Sequence, residues 1–184
     1  MDTVFAIFLL LCVYQLKHFL ADYLLQGKYM LGKFKPGWDF LGPLTAHVGV
    51  HGLMTFGICG VFWLFFAQGM LFDDQALYAA GVALLDVSVH FVMDRIKASP
   101  KYMGRWKPLT GPQWLEAKKT VVELTSTLYP NFWQGPHGDN LLDQARAKLR
   151  GNRLFWWVLG FDQMVHHLTH YACIYAILKL AGAL

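Results

Sequence analysis

The sequence predicts an all-α polytopic membrane protein, with four transmembrane helices in a bundle and a cytoplasmic loop that carries short helices at the membrane surface. Hydrophobic residues make up 55% of the 184-residue chain, the mean hydropathy is +0.34, and charged residues make up 15%. Soluble proteins carry about 25% charged residues. The apolar residues also lie in four long runs, between which most of the charges are found. We therefore expect residues 1–184 to form a single membrane domain.

Each apolar run is long enough to cross the hydrocarbon core of a bilayer, about 30 Å, which takes about 20 helical residues. The runs cover residues 3–25, 41–68, 75–96 and 154–182. Basic residues are concentrated in the connections 26–40 and 97–151, and the connection between the second and third runs has none. The positive-inside rule places the two basic connections in the cytoplasm. We therefore predict a protein of the bacterial inner membrane with both termini outside.

This topology accounts for most of the net charge of +4. The basic composition therefore does not indicate a nucleic-acid ligand, and we expect no nucleic-acid partner. The three cysteines, Cys12, Cys59 and Cys173, lie in apolar runs without a CxxC spacing. This pattern predicts small core residues rather than a cysteine-based metal or redox site.

The connection 97–151 is too long to lack secondary structure in a compact protein. An alternation of apolar and charged residues predicts one helix over 112–128. A second helix is predicted from a cap at Asp139 or Asn140 to a stop at Gly151, because its acidic residues come early and its basic residues late. We expect both helices to lie on the inner membrane surface. A docking platform for an anionic partner is the alternative.

All four predicted spans carry ionisable residues, which are costly in hydrocarbon and therefore usually face the bundle interior and mark function. Within each span these residues recur at a spacing of four, which places them on one face of the helix. The sets are His18 and Asp22, His47 and His51, Asp86 with His90 and Asp94, and Asp162 with His166 and His170. Counted at about 1.5 Å per residue from the predicted cytoplasmic ends, the sets converge on one layer. We predict one site in the cytoplasmic half of the bundle.

Imidazole and carboxylate groups that meet from facing helices are ligands with which helical bundles bind divalent metals. The predicted ligands are His18, Asp22, His47, His51, Asp86, His90, Asp94, His166 and His170. We expect a divalent cation, zinc first, with manganese or iron as alternatives. Asp86 and Asp162 have a second interpretation as acceptors that orient liganding histidines. Without a metal, the layer would be a proton relay or a hydrogen-bonded structural core.

Three basic residues lie close to these sets in the sequence: Lys17, Arg95 and Lys97. One interpretation is structural, with ion pairs inside the protein or anchors at the membrane surface. The other is functional, because cations beside a metal at the inner interface can hold the phosphate headgroup of a lipid.

The polar sets also form sequence motifs. His18 to Gln26 (HFLADYLLQ) fits H-F-x-x-D-(F/Y)-x-x-Q, His90 to Asp94 fits H-F-x-x-D, and Asp162 to His166 fits D-Q-x-x-H, with His47 as a lone membrane histidine. In these motifs the chain resembles an uncharacterised family of small bacterial and phage integral membrane proteins. The resemblance spans the four predicted helices and leaves out 97–151. The resemblance implies that the motif residues form the site, and it implies no activity. His51, His167 and His170 are not part of the motifs.

Three classes of function fit this sequence. The first is a metal-dependent hydrolase that acts at the cytoplasmic leaflet on a lipid-linked or amphipathic substrate, with Asp22 or Asp162 as general base. A di-iron oxygenase is a variant, although HHxxH here differs from the HxxHH boxes of membrane desaturases and hydroxylases. The second is a carrier that uses the layer as a relay for ions, protons or metals. The third is an adaptor with a structural metal and a partner-binding loop. Membrane lipid is an expected partner, and a homo-oligomer is compatible with each class.

Overall fold

The structure, a computed structural model, describes residues 2–67, 71–126 and 136–184, and the regular elements in these ranges are all helical. The long helices are α1 (Thr3–Phe19), α2 (Leu41–Phe66), α3 (Phe72–Ala98), α4 (Gly111–Thr125) and α5 (Pro136–Leu180). Short segments are a π-helix at Leu20–Leu24 and 3₁₀-helices at Met30–Phe34 and Met103–Arg105. The prediction of an all-α fold is confirmed for the described residues.

Within the described residues, three helical segments are long and apolar enough to cross a membrane: Thr3–Leu24, Leu41–Phe66 and Phe72–Arg105. They coincide with the first three predicted spans. The predicted fourth span, 154–182, overlaps α5 up to Leu180 but is not among them. Its apolar sequence is interrupted by Asp162 and by the histidines that follow. The fourth crossing therefore stays a prediction.

The helices pack around an apolar core at the end of the molecule where α1 begins and α2 ends. Buried members of this core are Leu10, Tyr14, Cys59, Phe62, Trp63, Val82, Cys173 and Ile177. The indole Nε1 of Trp63 donates to the backbone oxygen of Ile177 at 3.0 Å, which satisfies its polar atom. The prediction of a core cysteine is wrong for Cys12, which is exposed on the outward face of α1. This core fills one half of the molecule. The buried charged residues and histidines lie in the other half.

The connection after α3 contains the first predicted surface helix, but not the second as a separate element. α4 begins at a capping box, in which Thr110 Oγ1 accepts from the backbone nitrogen of Gln113 and Gln113 Oε1 accepts from that of Thr110. The predicted stop at Gly151 is wrong, because α5 continues through it to Leu180. A glycine inside a helix costs only about 1 kcal/mol relative to alanine. Packing of α4 against the first part of α5 offsets this cost.

Two short segments near the end of α1 shape the polar half of the molecule. At the π-helix the backbone nitrogen of Leu25 donates to Leu20 oxygen, five residues back, at 2.8 Å. Asp22 lies within this wider turn, and π-turns inside α-helices are frequent at functional sites. The 3₁₀-helix Met30–Phe34 then packs against α2, where Gly32 lies too close to Pro43 to accommodate a side chain. This packing buries Lys33.

Candidate metal centre

The structure brings the four predicted polar sets together in one layer between α1 with its π-turn, α2, α3 and α5. Every predicted ligand is buried except Asp22, whose side chain is 20% exposed. The layer lies next to the apolar core, with Lys17 and Asp86 at the boundary between them. Asp22 and Lys97, whose side chains are 20% and 25% exposed, therefore mark the open edges of this polar layer.

The first group in this layer is centred on the carboxylate of Asp22. Its Oδ1 lies 3.3 Å from His47 Nε2 and 3.2 Å from His51 Nε2, both on α2. Its Oδ2 lies 3.2 Å from His18 Nε2, one turn back along α1. Asp22, His47 and His51 each offer one ligand atom within 4.8 Å of the others.

The second group is formed by Asp94 of α3 with Asp162 and His166 of α5, which also offer one ligand atom each within 4.8 Å of one another. His166 Nε2 lies 3.3 Å from Asp162 Oδ1 and 3.6 Å from Asp94 Oδ1. The other oxygen of Asp94 lies 3.0 Å from His47 Nε2. Asp94 and His47 therefore connect the two groups.

The surroundings of His47 are compatible with metal coordination. Among the described residues neither nitrogen of this enclosed ring has a hydrogen-bond partner, although its Nε2 lies 3.0 Å from Asp94 and 3.3 Å from Asp22. Asp162 Oδ1 likewise lacks a hydrogen bond among these residues. Two ligands that bind one zinc ion at about 2.1 Å in tetrahedral geometry are about 3.4 Å apart. The donor atoms and their spacing thus fit a divalent metal.

Two lysines compensate the carboxylates of this centre. Lys33 Nζ donates to Asp94 Oδ2 at 2.9 Å, and Lys97 Nζ donates to Asp162 Oδ2 at 2.6 Å. Lys33 was missed by the sequence argument, because its position in a basic connection indicates only topology. Asp22, Asp94 and Asp162 carry three negative charges, and Lys33 and Lys97 carry two positive charges. The net charge of these groups is therefore −1. A bound divalent cation would therefore leave these groups with a net positive charge, which suits an anionic ligand.

The three residues predicted to hold a headgroup lie in different surroundings. Lys17 is buried and donates to Asp86 at 2.6 Å, about two helical turns along α3 from Asp94. Arg95 lies over the ring of Phe40, with its guanidinium carbon 3.5 Å from the ring centroid. Since Lys97 is paired with Asp162, the three do not form one cationic patch. Their role toward a headgroup stays a prediction.

Asp86 occupies the deepest part of the layer and is engaged by three partners. Its Oδ2 accepts from Lys17 and from Thr55 Oγ1 at 2.5 Å, and its Oδ1 lies 3.1 Å from His90 Nδ1. Asp86 also offers one ligand atom within 4.8 Å of those of His51 and His90, so the structure fits both interpretations of Asp86, as a metal ligand and as an acceptor that orients a histidine. Thr55 was not singled out from the sequence, since an isolated threonine in an apolar run carries no spacing signal.

A group of three histidines lies beside Asp86. His18, His90 and His170 each offer one nitrogen within 4.8 Å of the others, and the His90 ring stacks on His166 with centroids 3.9 Å apart. Neither nitrogen of His170 has a hydrogen-bond partner among the described residues. His167 lies at the half-buried edge, where its Nδ1 is 3.3 Å from Gln15 Nε2. His167 therefore contacts a polar side chain at the edge of the layer and is not a member of the ligand groups.

Comparison of the chain with protein-family models, with curated proteins and with solved structures finds no match. The resemblance based on the HFxxD and DQxxH motifs therefore stays a prediction.

Proposed function

We propose that the protein is a membrane-embedded, metal-dependent hydrolase that acts on a lipid-linked or amphipathic substrate. The observation that carries this proposal is the group Asp94, Asp162 and His166, whose ligand atoms lie within 4.8 Å of one another in a buried layer. Catalytic zinc sites have three protein ligands and one open position. This group provides three ligands, with zinc as the first choice and manganese or iron as alternatives.

We assign Asp162 as a ligand and Asp22 as the general base. Asp162 is fully enclosed, and its Oδ2 accepts from Lys97 and from Gln163 Nε2 at 3.1 Å. Asp22 faces an open edge of the layer and is linked through His47 to Asp94. A base must reach both the reacting water and the bulk, and Asp22 is better placed for this than Asp162.

The residues around the centre divide the chemistry of hydrolysis between them. A divalent metal held by Asp94, Asp162 and His166 would supply a more acidic water and would polarise the oxygen of the ester. The water oxygen bonds to the phosphorus or acyl carbon while its proton passes to Asp22, and the bond to the leaving alcohol breaks. Asp22 then returns the proton to the leaving oxygen. Lys33 and Lys97 hold Asp94 and Asp162 in place through the contacts described above.

In this proposal the centre lies in the half of the membrane that faces the cytoplasm, and the last part of α5 forms a fourth crossing. Support for the crossing comes from packing, because α5 contacts both α1 and α3, which lie within candidate spans. Its polar residues Asp162, His166 and His170 are enclosed by the bundle rather than turned to lipid. The orientation follows from the basic connections 26–40 and 97–151.

Two observations favour a hydrolase over the alternative functions. A carrier needs a polar path to both faces, but the layer ends at the apolar core around Leu10, Trp63 and Ile177. A structural zinc site is filled by four protein ligands, whereas the group Asp94, Asp162 and His166 provides three. We therefore rank the carrier and the adaptor below the enzyme.

The hydrolase proposal is tested by release of inorganic phosphate from phosphatidic acid, and of fatty acid from a matched acyl ester, in detergent micelles. Wild-type protein is loaded with zinc, manganese or iron and compared with Asp22→Asn. Loss of a general base lowers the rate by about 10²–10⁴-fold, while the bound metal should be retained. The control is Asp39→Asn, which changes an exposed acid of the connection between α1 and α2 and should leave the rate unchanged. No hydrolysis of either ester with any of the three metals would overturn the proposal.

A further inference from the structure

An apolar groove of about 500 Å³ runs between α1 and α2. Its walls include Leu9 and Val13 from α1, Leu20 from the π-helix that follows, and Met54, Gly57 and Phe66 from α2. Both helices lie within candidate membrane spans. If these helices cross a membrane as proposed, hydrocarbon surrounds the groove.

The groove begins at the height of the candidate metal centre. Leu20 is two residues from Asp22, and Met54 is three residues from His51, so one end of the groove lies within about one helical turn of these ligands. The other end lies at Leu9 and Phe66, about 17 Å away at 1.5 Å per residue. The groove therefore extends away from the polar layer along the apolar half of the molecule.

Lys17 forms the boundary between the groove and the polar layer. It is the charged residue of the groove lining, but its ammonium is buried and bound to Asp86 at 2.6 Å. The part of Lys17 that lines the groove is therefore its hydrocarbon stem. His18, the next residue, lies in the polar layer. One turn of α1 thus presents an apolar surface to the groove and polar groups to the site.

We propose that this groove holds the hydrocarbon tail of the substrate, a membrane lipid with a phosphate headgroup that reaches the centre around Asp94, Asp162 and His166. The assignment of the headgroup rests on the proposed function. The net positive charge of the metal-loaded groups, described above, selects an anionic headgroup over a neutral or cationic one. A tail that leaves bulk lipid for the groove gains little hydrophobic free energy, because both surroundings are apolar. The groove therefore acts by orienting the scissile bond at the centre.

Gly57 allows the groove to be filled without disturbing the fold. A Cβ built on Gly57 meets no atom within 4 Å, so a leucine side chain there would occupy the groove. Gly60 of the same helix also has no atom within 4 Å of a built Cβ, and it is not part of the groove lining. Gly57→Leu and Gly60→Leu are therefore a matched pair of variants.

The test uses phosphatidic acid with a photoreactive diazirine near the end of one acyl chain, in phosphatidylcholine vesicles that contain the protein. Cross-linked peptides are mapped by mass spectrometry. We expect the label to concentrate on residues 9–20 and 54–66, to fall several-fold in Gly57→Leu, and to stay unchanged in Gly60→Leu. The same acyl chain on diacylglycerol, which lacks the phosphate, should label the groove several-fold less.

Other outcomes overturn the inference and can be told apart from a failure of the proposed function. Label that is spread evenly over the lipid-facing helices, or that is equal in Gly57→Leu and wild type, rejects the tail groove. A groove that carries no label also rejects it, as expected if the groove is an interface between subunits. Metal content of the same samples is measured separately. Groove labelling in wild type that stays metal-free after incubation with zinc, manganese and iron would reject the hydrolase and its headgroup contact while leaving a lipid-tail site.

Discussion

Replacement of Lys17 by methionine tests how the deepest part of the polar layer is held together. Lys17 Nζ lies 2.6 Å from Asp86 Oδ2, and the side chains are 1% and 0% exposed. Removal of one partner of a buried ion pair costs about 3–5 kcal/mol, because the remaining charge is uncompensated. Thr55 and His90 still contact Asp86 in the variant. We therefore expect Lys17→Met to lower the free energy of unfolding by about 3 kcal/mol, the lower end of this range.

The double variant Lys17→Met/Asp86→Asn separates the charge from the packing. It removes both charges and keeps the size of the residue at position 86, so most of the lost stability should return. Replacement of a buried ion pair by neutral groups is often close to neutral in free energy. The control is Lys119→Met, which breaks the exposed pair of Lys119 and Glu123 at 3.6 Å. Exposed pairs one helical turn apart contribute only about 0.3–0.5 kcal/mol.

The free energy of unfolding of the wild type and of the three variants is measured by equilibrium unfolding in mixed micelles. The transition is followed by the circular dichroism of the helices. The account requires a large loss for Lys17→Met, a small one for Lys119→Met, and recovery in the double variant. If Lys17→Met were no more destabilising than Lys119→Met, the buried ion pair would not be a feature of the folded protein.

Three further predictions concern helix packing and are measured in the same unfolding assay. Gly52→Ala places a Cβ 2.5 Å from Val87 Cγ2 between α2 and α3, and overpacking of this kind costs about 1–3 kcal/mol; stability equal to the wild type would contradict the close packing. Gly151→Ala should stabilise the protein by up to about 1 kcal/mol, since its Cβ meets no atom closer than 3.9 Å; destabilisation would indicate that α5 does end there. Trp63→Phe removes the hydrogen bond to Ile177 oxygen and should cost about 0.5–1.5 kcal/mol; a variant as stable as the wild type would reject this bond.

Much of the fold followed from local properties of the sequence. Length and apolarity predicted the three candidate spans, and the spacing of four predicted that His18 and Asp22, or Asp86 and Asp94, share a helix face. When the spans pack side by side, their polar faces turn toward one another inside the bundle. The structure brings the predicted residues together for that reason.

The parts that were missed depend on tertiary contacts. Lys33 reaches Asp94 only because the 3₁₀-helix Met30–Phe34 folds back onto α2. The spacing of residues along the sequence does not predict such a contact. Gly151 carries a signal for a helix stop, but packing of α4 against α5 overrides it. Asp162 and His166 offer ligand atoms to the site. The same two polar residues make the predicted fourth span less apolar. Its apolar length predicts a crossing, but the segment is not among the three candidate spans of the described residues, and the crossing stays a prediction.

Elemental analysis of the detergent-purified protein tests the central claim most directly. Wild type is compared with His166→Ala, which removes a proposed ligand, and with His167→Ala, which removes the adjacent histidine outside the ligand groups. We predict about one equivalent of zinc, manganese or iron in the wild type and in His167→Ala, and loss of the metal in His166→Ala. Circular dichroism confirms that each sample is folded. A folded wild type without metal after incubation with each of the three ions, or equal metal content in the two variants, would contradict the account.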